Sequence, residues 1–146
     1  MLMDADESQL VLVDFQARLK PVMLDADAVW ANAARLATLA QALDVPTWGT
    51  EQNPSRLGEM PPEIRSHCRQ VLAKMQFSAV EEGLGEWLQP EPVHTPRGNA
   101  RSLPKHLQKP QPGAEPRKTI VLAGWEAHMC LMQTALDLLE DECEVW

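Results

Sequence analysis

The sequence contains no run of 18 apolar residues, so nothing in it is long enough to span a bilayer as an apolar helix. Its first residues, MLMDADESQ, are acidic where a secretory leader would be basic and then apolar. These two absences make the cytoplasm the expected location. CxxC pairs and Cys/His groups with zinc spacing are also missing. The three cysteines, Cys68, Cys130 and Cys143, are odd in number and widely spaced, which favours free thiols in a reducing compartment. Basic residues are comparatively few: 13 Lys and Arg face 21 Asp and Glu, for a net charge of −8. That balance repels phosphate backbones and anionic lipid, so neither nucleic acid nor membrane is an expected partner. Internal repeats and blocks of like charge are absent. A glycine-rich phosphate loop is missing too, because Gly83 and Gly85 follow no suitable strand. No dinucleotide is supported, and no cofactor is expected.

What is present fits one domain over residues 1–146, long enough to bury a real core. QLVLVDFQ, residues 9–16, carries four consecutive apolar residues, as a strand covered on both faces would. Val29, Ala33, Leu36, Ala40 and Leu43 repeat at helical spacing and predict a helix over about 24–43, with Pro46 just beyond. A strand over about 45–50 follows, then a helix over about 63–72 opened by Pro61 and Pro62. AKMQFSAV, residues 73–80, reads as a weak strand, and EEGLGEWLQ as a short helix. Residues 90–118 hold 7 of the 12 prolines and read as an extended loop, either a surface excursion or a substrate lid. KTIVLAG, residues 118–124, predicts a strand, and about 128–140 a helix with Met132, Ala135, Leu136 and Leu139 on one face. CEVW opens a final strand. The alternation predicts an α/β fold of three α-β-α layers around an open parallel, Rossmann-like sheet.

In such sheets ligands bind beyond the carboxyl ends of the strands, where the strand order reverses. Asp14 closes the first strand, and Cys130 follows the strand ending at Gly124, at a helix start. Unpaired amides and the dipole there favour a thiolate and a nearby oxyanion. Each residue also has a plain reading. Cys130 fits as a small core filler, Asp14 as a turn residue and Lys74 as a solvated lysine. Phe15, Trp48, Phe77 and Trp125 stand near strand ends, and with Gln52 they are candidates for lining a compact pocket, though the aromatics fit a core equally well.

LVLVDFQ, TEQNPSRLG, AKMQFSA and VLAGWEAHMCLMQTALDLLE, in that order, closely resemble the successive motifs of isochorismatase-like cysteine hydrolases, the superfamily of nicotinamidases and related amidohydrolases. TEQNPSRLG looks most like the subgroup of undefined substrate. The resemblance implies that Asp14, Lys74 and Cys130 form a catalytic triad. Asp14 would take the thiol proton, Lys74 would hold the charged forms, and Cys130 would attack a carbonyl carbon to give a thioester. It also implies a cis peptide at Trp125–Glu126, which costs about 3–4 kcal/mol and would aim the Glu126 amide, beside that of Cys130, into an oxyanion hole. A nicotinamidase metal cluster is not expected, because TWGTEQNPSRLG carries no histidine.

Similar proteins continue past CEVW with a helix and a last strand. The resemblance therefore implies a sheet without its last strand, whose open edge belongs either to a truncated product or to a homo-oligomer interface. The expected activity is hydrolysis of a small-molecule amide or related C–N bond through a cysteine thioester. The alternative is an inactive oligomeric scaffold retaining the fold.

Overall fold

The computed structural model describes residues 2–90 and 116–146; most of the proline-rich stretch lies outside them. Five strands form one parallel sheet in the order β3-β2-β1-β4-β5. They are β1 (Ser8–Val13), β2 (Thr47–Gln52), β3 (Gln70–Lys74), β4 (Thr119–Gly124) and β5 (Glu144–Val145). The helices are α1 (Ala26–Ala42), the one-turn α2 (Pro54–Leu57), α3 (Pro62–Arg65) and α4 (Leu84–Trp87), and α5 (Cys130–Glu140).

β1 is the centre of the sheet, and all six of its residues are buried. Because side chains alternate along a strand, Leu10 and Leu12 enter one core, while Val11 and Val13 enter the other. The first core joins them to Phe15, Trp125 and the small face of α1, where Ala33, Ala37 and Ala40 allow close approach, with Met60 and Ile64. The second joins Trp48, Leu84, Leu88, Ile120, Cys130 and Leu138 under α4 and α5. The layers are therefore α-β-α, as the alternating pattern predicts.

Two expectations need correction. The helix predicted over 63–72 stops at Arg65, and β3 begins at Gln70 rather than Ala73. Ladder pairing of Trp48–Gln52 with Gln70–Lys74 outweighs the local helical pattern. The row Met132, Leu136 and Leu139 does not enter the core: these three side chains are 44%, 49% and 53% exposed, and α5 buries Cys130, Thr134 and Leu138 instead. Thr134 sits there because its hydroxyl accepts the Ala79 amide at 3.1 Å, a polar contact that hydropathy does not register.

The chain runs outward from β1 to β2 and β3, then returns to the opposite side of β1 as β4. The strand order thus reverses between β1 and β4, the adjacent pair expected to hold Asp14 and Cys130. Their closest point is Gly124, paired with Val13. A Cβ added at Gly124 would stand 2.6 Å from both the Val13 carbonyl oxygen and the Val13 Cβ. Backbone cannot yield there as a flexible side-chain tip does. We expect Gly124→Ala to spread the two strands and lower stability by about 1–3 kcal/mol. Urea unfolding measures this, and an unchanged midpoint would refute this account of the glycine.

Candidate active site

Asp14, Thr50, Gln52 and Lys74 cap or close three adjacent strands at their carboxyl ends, and Cys130 opens α5 beyond a fourth. Asp14 adopts a left-handed φ of 55°, a conformation that aspartate tolerates better than most residues. Its amide donates to the Thr50 carbonyl at 3.1 Å, and the Thr50 hydroxyl donates to Asp14 Oδ1 at 2.7 Å. One carboxylate oxygen is thereby fixed. The other, Oδ2, lies 3.0 Å from Lys74 Nζ, and both side chains are completely buried.

An ammonium has three protons. Four oxygens share those of Lys74: Gln52 Oε1 at 2.5 Å, Asp14 Oδ2 at 3.0 Å, the Phe77 carbonyl at 3.1 Å and the Gln76 carbonyl at 3.3 Å. Asp14 Oδ2 thus lies against the same ammonium as the Gln52 oxygen. A carboxylate oxygen has two lone pairs, so beside a thiol it can accept a proton while it faces the lysine.

Cys130 is 3% exposed, and its sulfur lies 3.8 Å from Gln52 Oε1. Burial first, then the charge of Asp14 and a hydrogen bond to it, push its pKa up to about 11; Lys74 opposes both. The expectation of an easily formed thiolate is therefore corrected. Desolvation and the carboxylate outweigh Lys74, and the resting group is a neutral thiol. Cys68 is likewise raised to about 11, mainly by burial, so ionisation alone does not set Cys130 apart.

A second correction concerns the turn before α5. No described peptide bond is cis, so Trp125–Glu126 is trans. The chain instead turns through a left-handed φ of 57° at Glu126. The Glu126 carbonyl accepts from Met129 at 2.8 Å and from Leu131 at 3.4 Å. Among the described residues, the amides of Glu126 and Cys130 donate to no acceptor in this turn.

The expected pocket residues separate. Phe15 and Trp125 are buried with Trp30, ring centroids 5.4–6.5 Å apart. Trp48 lies in the opposite core, its indole N–H donating to Gln9 at 2.9 Å. Phe77 has a half-exposed ring and meets the site through its carbonyl. Gln52 touches both Lys74 and Cys130. Sequence reasoning missed Thr50 and Gln16. Gln16 is fully buried: its Oε1 accepts from the Gln52 amide at 2.8 Å, and its Nε2 donates to the Gln52 carbonyl at 2.9 Å. The available signal was polar residues at the ends of otherwise covered strands. No group of three or more His, Cys, Asp or Glu suited to a metal is gathered among the described residues.

A model of the isochorismatase domain matches residues 8–146. The chain belongs to the isochorismatase family. Among curated relatives, isochorismatase domain-containing protein 2 of Danio rerio is 31% identical over 138 residues, covering 94% of this chain and 58% of its own. The chain thus spans little more than half the length of this relative. Among solved structures, one described as the MAR1 ribonuclease of Caenorhabditis elegans matches with a TM-score of 0.76 at 23% identity, covering 99% of this chain and 64% of its own. The YcaC gene product of Escherichia coli, described as an octameric hydrolase of unknown specificity, matches with a TM-score of 0.70 at 19% identity, covering 98% and 62%. At these identities the two structures establish the shared isochorismatase-like fold. No helix among the described residues is long and apolar enough to cross a membrane.

Proposed function

We propose that this isochorismatase-family chain is a hydrolase of a small amide or related C–N bond, acting through a Cys130 thioester. One observation carries the reading: a fully buried Asp14–Lys74 ion pair beside the buried thiol of Cys130. Asp14 Oδ2 takes the S–H proton as sulfur bonds to the carbonyl carbon. The C–N bond then breaks, and the departing nitrogen takes that proton from Asp14. Water hydrolyses the thioester to the acid and restores the thiol. The Cys130 amide, which opens α5 and donates to no acceptor among the described residues, would receive the oxyanion.

The intact arrangement of Asp14, Lys74 and Cys130 favours this reading over a scaffold that has lost its site. Self-association belongs to the same proposal. It is supported by the exposed apolar row on α5 and by the octameric description of the Escherichia coli neighbour.

The test is a panel of small amides assayed for ammonia or amine release, with acid-quenched samples weighed for an acyl adduct on Cys130. We expect turnover of at least one amide, an adduct on the wild-type chain, and neither in Cys130→Ala. Turnover that survives Cys130→Ala would sink the thioester mechanism.

A further inference from the structure

Lys74 ends β3, and the turn that follows folds back onto its ammonium. Three successive carbonyls of that turn face inward. Met75 accepts from Gln52 Nε2 at 2.9 Å, while Gln76 and Phe77 accept from Lys74 Nζ at 3.3 and 3.1 Å. In a trans peptide the C=O and N–H point opposite ways, so inward carbonyls turn the neighbouring amides outward. The amides of Met75 and Gln76 both donate to a single oxygen, Glu82 Oε1, at 2.9 Å each. Successive N–H groups converging on one oxygen make an anion-binding nest. The Gln76 and Met75 amides hold the Glu82 carboxyl below the usual glutamate range, and the Lys74 charge lowers it further. A short stack of peptide dipoles therefore lies between a carboxylate on the outside and an ammonium on the inside.

The two halves of the turn are anchored differently. Beyond Phe77, the Ser78 hydroxyl donates to Asp137 and the Ala79 amide donates to Thr134 at 3.1 Å, both on the helix that Cys130 opens. Before it, Met75 is 64% exposed, so packing does not hold that half. Among the described residues, Glu82 is the only acceptor for the Met75 and Gln76 amides. We propose that Glu82 is a positioning residue for Lys74: its grip on the outer amides keeps the inner carbonyls on the ammonium, and so holds Lys74 against Asp14 beside Cys130. Without that grip the peptides on either side of Met75 turn toward water. Their carbonyls then leave Gln52 and the lysine, and the ammonium moves off the 3.0 Å contact with Asp14.

The catalytic consequence rests on the hydrolase reading; the placement of the lysine does not, and two readouts separate them. Glu82→Met keeps the length of the side chain but offers no oxygen. Glu82→Gln keeps an oxygen able to accept both amides and loses only the charge. Heteronuclear NMR of the buried Lys74 ammonium reads its placement, and steady-state kinetics on an amide read the reaction. Glu82→Met should shift or broaden the Lys74 signal and lower kcat about 10-fold, with KM changing less than about 3-fold. Glu82→Gln should keep the wild-type signal and recover most of kcat. A Lys74 signal unmoved in Glu82→Met would overturn the assignment. So would equal effects of the two variants, which would make the charge, not the grip on the turn, the operative feature. If the signal responds as expected but the wild-type chain turns over no amide, the positioning stands and the hydrolase reading fails.

Discussion

In Asp14→Asn, Cys130 should be alkylated at lower pH than in the wild-type chain, while turnover falls by about 10²- to 10⁴-fold. In the proposed mechanism the two effects have opposite signs because the carboxylate does two jobs. Its charge and its hydrogen bond both raise the thiol pKa, second only to burial, and Lys74 lowers it. Asparagine removes the charge, the larger of the two, and leaves Lys74 in place, so the pKa drops below about 11 and the thiolate fraction at a given pH grows. In the proposed mechanism the nucleophile becomes more available as its proton acceptor disappears. Iodoacetamide labelling across pH 7–11, read by intact mass, measures the first effect; amide turnover measures the second. A site in which Cys130 worked as a preformed thiolate would behave differently, gaining or holding activity as the thiol became more acidic. Labelling that shifted upward in Asp14→Asn would contradict the electrostatic account.

Lys74→Met should be the most destabilising single change at the site, by about 3–5 kcal/mol. The ammonium and the Asp14 carboxylate are both fully buried, 3.0 Å apart. Removing the cation leaves a charge in the interior with only the Thr50 hydroxyl and nearby dipoles to solvate it. It also strands the carbonyls of Gln76 and Phe77, which accept Lys74 protons in the intact site. The double variant Asp14→Asn/Lys74→Met should recover a large part of the loss, because it buries no net charge and methionine retains most of the lysine's volume. Urea midpoints for the two single variants and the double variant give the coupling directly. Additive losses would mean that the pair is not coupled. On the proposed mechanism the double variant is inactive in either case, since stability returns without the base.

Much of this protein is legible in residue order. Four apolar residues in a row at Leu10–Val13 require a strand covered on both faces, because no one-sided arrangement hides them. The alternation of such strands with α1 and α5 then leaves the layered parallel sheet as the simplest way to bury both faces. The motifs around Asp14, Lys74 and Cys130 mark the chemistry, and the sheet order puts Asp14 and Cys130 beside the same reversal point.

What tertiary structure alone decided are quantities that depend on several distant groups at once. The thiol's pKa is one, since burial, Asp14 and Lys74 pull in different directions and only their positions say which wins. The core-facing side of α5 is another: a hydroxyl, Thr134, faces inward because Ala79 offers it an amide proton, and that leaves Met132, Leu136 and Leu139 outside. The start of β3 followed from a partner strand rather than from its own residues. Gln52 is the clearest case. In the sequence it is one polar residue in TEQNPSRLG, with no periodicity to mark it. Its meaning lies in where its oxygen points, and Gln16, Met75 and Lys74 fix that direction from three separate parts of the chain. Residue types record which atoms are available for chemistry; hydrogen-bond direction and dielectric environment arise only when the chain has brought those atoms together.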